Sequence, residues 1–144
     1  MLLELAIFFP IGVLTNSWLP LPFEPVLLAF SATQSPETAW IFAACGSAAA
    51  MVGETIDIKL LKTLRAKPPT RRFTRWLAST GKRFYLVAGL VAISPIPITL
   101  VRVAAYWRRP RPWLYGLSVG LGRLPRYLGI LWLARTMGVL GAIP

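Results

Sequence analysis

Apolar residues fall in five runs, 2–14, 18–32, 38–56, 84–105 and 113–143, and the interval 58–83 is polar and basic. A helix that crosses a membrane needs about 20 apolar residues, and the runs meet that requirement unequally. Residues 2–14 are short and carry Pro10 and Gly12, which predicts a partial helix or one lying in a membrane interface. Residues 18–32 are also too short to cross, and the prolines inside them break any helix. They sit between the polar flanks Thr15-Asn16-Ser17 and Thr33-Gln34-Ser35-Pro36-Glu37, so the expected form is a re-entrant hairpin that enters and leaves on one side. Such irregular backbone is tolerated at membrane depth only where protein or a wet cavity covers it.

Residues 38–56 read as a true span. Glu37 or Thr38 is expected to cap it, Trp40 suits an interface, and Gly46, Ser47, Ala48, Ala49, Ala50 and Gly53 form a small-residue face for close helix packing. The span ends at Glu54 and Asp57, one helical turn apart on the same face. Residues 113–143 would exceed a membrane at about 1.5 Å per residue. Gly122-Arg123-Leu124-Pro125-Arg126-Tyr127 breaks them near the middle, giving either one kinked span or two half-helices.

One phrase in this pattern is written twice. Leu19-Pro20-Leu21-Pro22-Phe23-Glu24-Pro25-Val26-Leu27-Leu28-Ala29 returns 75 residues later as Ser94-Pro95-Ile96-Pro97-Ile98-Thr99-Leu100-Val101-Arg102-Val103-Ala104. Broken apolar segments in corresponding positions of two halves point to a transporter-type binding site. The copies differ in charge: Glu24 stands where the second has Thr99, and only the second has an arginine, Arg102.

Charge then orients the elements. Met1 to Ile56 holds four acids and no Lys or Arg, and the remainder holds all 16 basic residues and one acid. In a chain that is 56% hydrophobic, such a basic excess points to cytoplasmic loops and anionic headgroups rather than to nucleic acid. Lys59, Lys62, Arg65, Lys67, Arg71, Arg72, Arg75, Lys82 and Arg83, divided by Pro68-Pro69, precede the second broken segment, and Arg108, Arg109 and Arg111 follow it. Both flanks of 84–105 are therefore expected on the cytoplasmic side, which makes that segment a second re-entrant hairpin. The first hairpin lies one span away and should enter from the opposite face, so charge predicts an inverted repeat. Phe73, Trp76 and Leu77 among Arg72, Arg75 and Lys82 suit either a short amphipathic helix on the membrane surface or a solvated loop.

The expected fold class is thus all-α integral membrane, one domain over 1–144, with two oppositely oriented re-entrant helical hairpins and flanking transmembrane helices. The first repeat covers 1–57 with its hairpin at 18–32, the basic linker covers 58–83, and the second repeat covers 84–144 with its hairpin at 84–105.

Candidate chemistry narrows quickly. There is no His and Cys45 is the lone cysteine, so no metal site, intrachain disulfide or cofactor is expected. Ser79, Thr80, Ser94 and Thr99 have no general base to form a catalytic set, which argues against an enzyme. Gly116, Gly120 and Gly122 form no phosphate-cradling loop and read as helix packing. The charged residues inside apolar runs carry more information, since an ionisable group at membrane depth is a functional candidate. Glu24 is expected either to carry a proton in the first hairpin or to sit at its wet mouth, capping the half-helix that follows. Arg102 is expected either to approach Glu24 where the hairpin tips meet or to snorkel to headgroups near Arg108. Arg123 and Arg126 share a helix face and need an anionic partner: Glu54, Asp57, Glu24 or a substrate phosphate, which Arg recognises with its planar fork of donors. The candidate substrate- or proton-binding set is Glu24, Glu54, Asp57, Arg102, Arg123 and Arg126, with Pro20, Pro22, Pro95 and Pro97 as hairpin breakers.

Leu19-Pro20-Leu21-Pro22-Phe23-Glu24, the small-residue span ending near Gly53-Glu54, Ser94-Pro95-Ile96-Pro97 and Gly122-Arg123-Leu124-Pro125-Arg126-Tyr127, in that order over residues 15–137, resemble the DedA family. It is also called the VTT-domain or SNARE-associated-Golgi-protein family, and the likeness is to its short YqaA-like branch. The resemblance implies two opposed re-entrant hairpins and lipid translocation: flipping or scrambling phospholipids, or recycling a polyprenyl-phosphate carrier, in some cases coupled to protons or ions. Glu24 matches the acid of the family's first-hairpin motif. The second hairpin departs, because many members carry R-F-x-P-x-x-R where this chain has Ala92-Ile93-Ser94-Pro95-Ile96-Pro97-Ile98. Arg102, Arg123 and Arg126 are the candidates to substitute for those arginines.

The expected function is translocation of a phospholipid or polyprenyl-phosphate lipid in a prokaryotic cytoplasmic membrane, with residues 58–83 cytoplasmic. Membrane lipids and a second copy of the chain are the expected partners. The alternative is a non-transporting membrane scaffold or assembly factor that recruits anionic lipid or protein through its basic linker.

Overall fold

Helices make up most of the described residues, and prolines stand near several of their ends. The computed structural model describes residues 1–17, 22–32, 34–61, 72–94 and 98–138, and every regular element among them is a helix. These are α1 (Leu2–Asn16), α2 (Glu24–Ser31), α3 (Pro36–Leu61), α4 (Arg72–Ser79), α5 (Phe84–Ile93), α6 (Thr99–Arg108) and α7 (Pro112–Thr136), with a 3₁₀ turn at Gly81–Arg83 before α5. Pro20, Pro95 and Pro97, and the linker residues Lys62, Arg65, Lys67, Pro68, Pro69 and Arg71, lie outside the described residues. Pro22 is exposed and non-helical, and α2 begins two residues after it.

Local chemistry explains the helix ends. α3 and α7 each open on a proline, Pro36 and Pro112, whose missing N–H is no loss in a first turn. The expected cap of α3 shifts by this start. The Ser35 hydroxyl, rather than Glu37 or Thr38, caps the helix, accepting from the Thr38 amide at 3.4 Å. α6 stops at Arg109, which adopts the left-handed conformation with φ 56°, and Pro110 follows.

Length separates the helices into two kinds. α3 has 26 residues, and its segment Pro36–Leu60 is long and apolar enough to cross a membrane. α7 has 25 residues and runs unbroken through Pro125, so it is one helix and not two half-helices; residues 139–144 lie outside the described part. The other apolar helices reach only about 12–22 Å at 1.5 Å per residue.

α3 and α7 are the antiparallel centre of the molecule. Ser47 Oγ donates to the Gly120 carbonyl at 2.6 Å, and Thr55 Oγ1 faces the Pro112 carbonyl at 3.5 Å. Glycine permits this approach: a Cβ on Gly120 would stand 3.0 Å from the Ser47 carbonyl oxygen. α1 runs parallel to α3, with Gly12 against Ala49 and Gly53 against Asn16. α5 runs parallel to α7, with Phe84 stacked on Tyr115 at 6.0 Å and Ala92 against Gly122. The small-residue face of α3 is buried as expected at Gly46, Ser47, Ala49, Ala50 and Gly53, whereas Ala48 is exposed.

Two apolar cores flank this centre. One gathers Phe8, Phe23, Leu27, Phe42 and Tyr127, with the rings of Phe23, Phe30 and Phe42 all 5.0–5.3 Å from Phe8. The other gathers Ile58, Leu77, Phe84, Ala88, Val101 and Tyr115. α4 belongs to the second core through Leu77, while Arg72, Arg75 and Trp76 are exposed, so residues 72–79 are an amphipathic helix and not a solvated loop. The side chain of Phe73 lies outside the described set.

The first broken pair of helices sits earlier in the chain than expected. Thr15-Asn16-Ser17 is no polar flank in water: Asn16 is buried, and its side-chain amide donates to the Gly12 carbonyl at 2.6 Å. The triplet is the inner end of α1, and the break separates α1 from α2. Gln34, just past α2, donates to Glu4 near the start of α1 at 3.3 Å, so the chain returns to the end from which α1 set out. α5 and α6 repeat this course, with the Arg108 guanidinium 5.2 Å over the Phe84 ring. α2 and α6 begin 75 residues apart, the same offset as the repeated phrase, and α3 and α7 end 75 residues apart.

Candidate functional site

All six charged candidates take part in ion pairs, and the pairs fall into two groups: Arg102 and Arg123 with Glu54 and Asp57, and Arg126 with Glu24. Glu54, on the buried face of α3, is fully shielded from solvent. Arg102 reaches it from the first turns of α6: Nε donates to Oε2 at 3.0 Å and Nη2 to Oε1 at 2.7 Å. Two donors on one carboxylate make this the strong, geometrically specific form of the pair. Arg123 of α7 adds a longer contact, Nη2 to Glu54 Oε1 at 3.5 Å, and donates from Nη1 to the Tyr127 hydroxyl at 3.2 Å. Asp57, one turn past Glu54 and equally buried, stands 4.0 Å from Arg102 Nε.

Arg102 therefore meets Glu54, and neither of its two expected placements is found. It does not approach Glu24, because α6 packs toward α3 while Glu24 faces α7; nor does it snorkel outward, since its side chain is only 14% exposed. The remainder of its guanidinium faces the end of α1, donating to the carbonyls of Asn16 and Ser17, the latter at 3.3 Å. The last carbonyls of any helix lack partners within it, and a cation there also complements the helix dipole.

Glu24 pairs instead with Arg126, Oε1 to Nη2 at 2.7 Å. This pair has the same architecture as the first. Arg126 donates from Nη1 to the carbonyl of Ser94, the residue that ends α5, at 3.0 Å. Each arginine thus caps the carbonyl end of one broken helix while holding a carboxylate. The environments differ: Arg126 and Glu24 are 31% and 27% exposed, whereas Glu54 is wholly enclosed. Arg123 and Arg126, expected to share a face, do so, yet they serve different carboxylates.

Sequence reasoning missed the backbone and neutral partners. The carbonyls of Asn16, Ser17 and Ser94 and the Tyr127 hydroxyl all accept from arginines here. The one available signal was Asn16, a polar amide at the end of an apolar run. Among the described residues, Asn16 Oδ1, Asp57 Oδ1 and the Tyr115 hydroxyl are buried without a hydrogen-bond partner, which leaves capacity for water or a polar ligand group. No group of three or more potential metal ligands occurs among the described residues.

Comparisons with protein-family models, with curated proteins and with solved structures find no match.

Proposed function

We propose that this chain is an integral membrane protein of the DedA type that translocates a phosphate-bearing lipid, a phospholipid or a polyprenyl phosphate, across a prokaryotic cytoplasmic membrane. In this reading α3 and α7 cross the bilayer, and α1–α2 and α5–α6 are re-entrant hairpins entering from opposite faces, an inverted repeat. Four features support membrane placement. α3 has the length and hydropathy of a span. Large apolar side chains such as Leu2, Leu86, Leu90 and Leu121 face outward while Glu54 and Asp57 are buried, the reverse of a water-soluble surface. The described basic residues near the start of α5 and the end of α6 lie at one end of the molecule, as a cytoplasmic face requires. The resemblance of the repeated Pro-rich phrase to the family's hairpins points the same way.

The observation that carries the function is the partly exposed Glu24–Arg126 pair beside the enclosed Arg102–Glu54–Arg123 cluster. The enclosed cluster ties the tips of the two hairpins together. The exposed pair is where a ligand exchanges: a lipid phosphate takes the place of the Glu24 carboxylate on Arg126, at the N-terminus of α2, where the helix dipole also favours an anion. Glu24 balances the charge of Arg126 while no phosphate is bound, so the guanidinium stays paired whether the site is loaded or empty.

Proteoliposome flipping of a fluorescent lipid phosphate tests this. Glu24→Gln and Arg126→Gln should each slow transport about tenfold or more, the worth of one charge-assisted hydrogen bond, with incorporation into vesicles unchanged. Unaltered transport in both variants overturns the assignment. The scaffold alternative draws on the exposed Arg72 and Arg75 of α4; it would be favoured if charge reversal there abolished function in cells while Glu24→Gln left it intact.

A further inference from the structure

Arg135 is out of place. Of the Lys and Arg side chains among the described residues, it is the one at the end where α3 begins and α7 finishes, an end otherwise marked by Glu4 and Glu37. The topology of a membrane protein gains nothing from a cation on that side. Its guanidinium donates to the Gln34 carbonyl at 3.3 Å, and no carboxylate among the described residues lies within 4.0 Å of it. It lines one end of a groove of about 220 Å³ between the first turns of α3 and the last turns of α7. The groove walls are apolar: Ala39 and Trp40 on one side, Leu128, Leu131 and Trp132 on the other. Trp40 and Trp132 both line the groove and are 53% and 64% exposed, and exposed indoles suit a place where a protein meets the headgroup region.

We propose that this groove binds one anionic phospholipid from the outer leaflet, its acyl chain between Trp40 and Trp132 and its phosphate on Arg135. The occupant follows from complementarity: an apolar slot needs a chain, and a guanidinium without a carboxylate needs an anion at the slot's end. The groove is separate from the Glu24–Arg126 pair and lies at the far end of α7 from the basic face. The proposal rests on the membrane placement argued above, and the two can fail independently.

The test uses the full chain in vesicles equimolar in phosphatidylglycerol and phosphatidylcholine, with a photoreactive diazirine on the acyl chain of one lipid or the other and crosslinks mapped by mass spectrometry. Peptides covering residues 128–135 should carry about fivefold more phosphatidylglycerol than phosphatidylcholine, the preference one cation near a membrane surface provides. Arg135→Gln should bring that ratio to parity and Arg135→Lys should keep most of it. Crosslinks near Arg109 and Arg111 should not change in either variant, which reports an intact fold. Excess inorganic phosphate should leave the ratio unaffected. Parity in the unaltered protein, or a preference that survives Arg135→Gln, overturns the proposal. So does competition by inorganic phosphate, which would make Arg135 a site for free anions, or the absence of any lipid crosslink over residues 128–135, which would mean that something other than lipid, such as a second copy of the chain, fills the groove. Failure of the protein to float with vesicles would instead remove the membrane placement itself.

Discussion

Arg102 and Arg126 each combine two tasks that a broken helix imposes. A helix that stops inside an apolar environment leaves carbonyls without donors, and a carboxylate there needs a cation. One guanidinium, with its five donors, meets both needs at once. Burial decides what each pair is worth. Removing one partner of an enclosed pair leaves a bare charge and costs about 3–5 kcal/mol. Glu54→Gln, which strands Arg102 and Arg123 together, should therefore lower thermal stability in detergent steeply. Glu24→Gln breaks a pair that is about three-tenths exposed and should cost no more than about 1 kcal/mol. Equal losses of melting temperature in the two variants would refute the division into an enclosed lock and an accessible exchange site. All six charged side chains were legible in the sequence, because ionisable groups stand out in apolar runs. Their pairing was not. Glu54 lies 48 residues from Arg102 and 69 from Arg123, and only the packing of α6 and α7 on α3 selects among the three carboxylates.

At the scale of elements, the 75-residue repeat governs more than the Pro-rich phrase. Shifted by 75, Glu24 and Arg126 fall on Thr99 and Met51, and the second pair, Arg102 and Glu54, lies three residues beyond each of those positions. The two ion pairs thus join equivalent elements, α2 to α7 and α6 to α3, one helical turn apart and with the signs exchanged. The sequence comparison found that the copies differ in charge; the contacts give the difference its meaning, since the acid sits on the short helix in one copy and on the long helix in the other. Where helices stop was legible wherever a proline or a charge marked it. The role of α1 was not, because its single interior proline, Pro10, does not end it and the real end is set by Arg102 from another part of the chain. Glycine on α7 separates two kinds of position. A Cβ on Gly122 would meet that of Ala92 at 2.9 Å, with the α5 backbone at Gly89 closer still, whereas one on Gly129 would meet nothing within 4 Å. Gly122→Ala should therefore destabilise by about 1–3 kcal/mol through overpacking. Gly129→Ala should stabilise by about 0.4–1 kcal/mol by restricting the unfolded chain. Denaturant or thermal titration in one detergent compares them, and the same sign of change at both positions would contradict the α5–α7 packing.

For the whole molecule, charge and helix direction bear on the same question from different sides. The positive residues predict which end is cytoplasmic, and the contacts give which end each helix leaves from. α1 begins near Gln34 and the start of α3, whereas α5 begins near Pro112 and the start of α7. Because α3 and α7 are antiparallel, α1–α2 and α5–α6 open toward opposite ends. Cysteine accessibility tests whether those ends are opposite faces of a bilayer. With Cys45 replaced by Ala, single cysteines at Ser35, Ser79 and Arg111 all occupy exposed positions. An impermeant maleimide added outside intact cells should label Ser35→Cys alone, and the other two should react only after permeabilisation. The fold alters the expectation for Ser17. Read as part of a polar flank, it would label from outside with Ser35. Its carbonyl is instead held by Arg102 beside the enclosed Glu54, at the far end of α1 from Ser35, so the half-buried Ser17→Cys should react more slowly than Ser35→Cys. Protection at Ser17 would then lift in Glu54→Gln, because the same arginine that pairs with Glu54 fixes the end of α1. Labelling of Ser35→Cys and Ser79→Cys from one side would mean that α3 does not cross, and that opposed ends of the helix bundle are not opposed faces of a membrane.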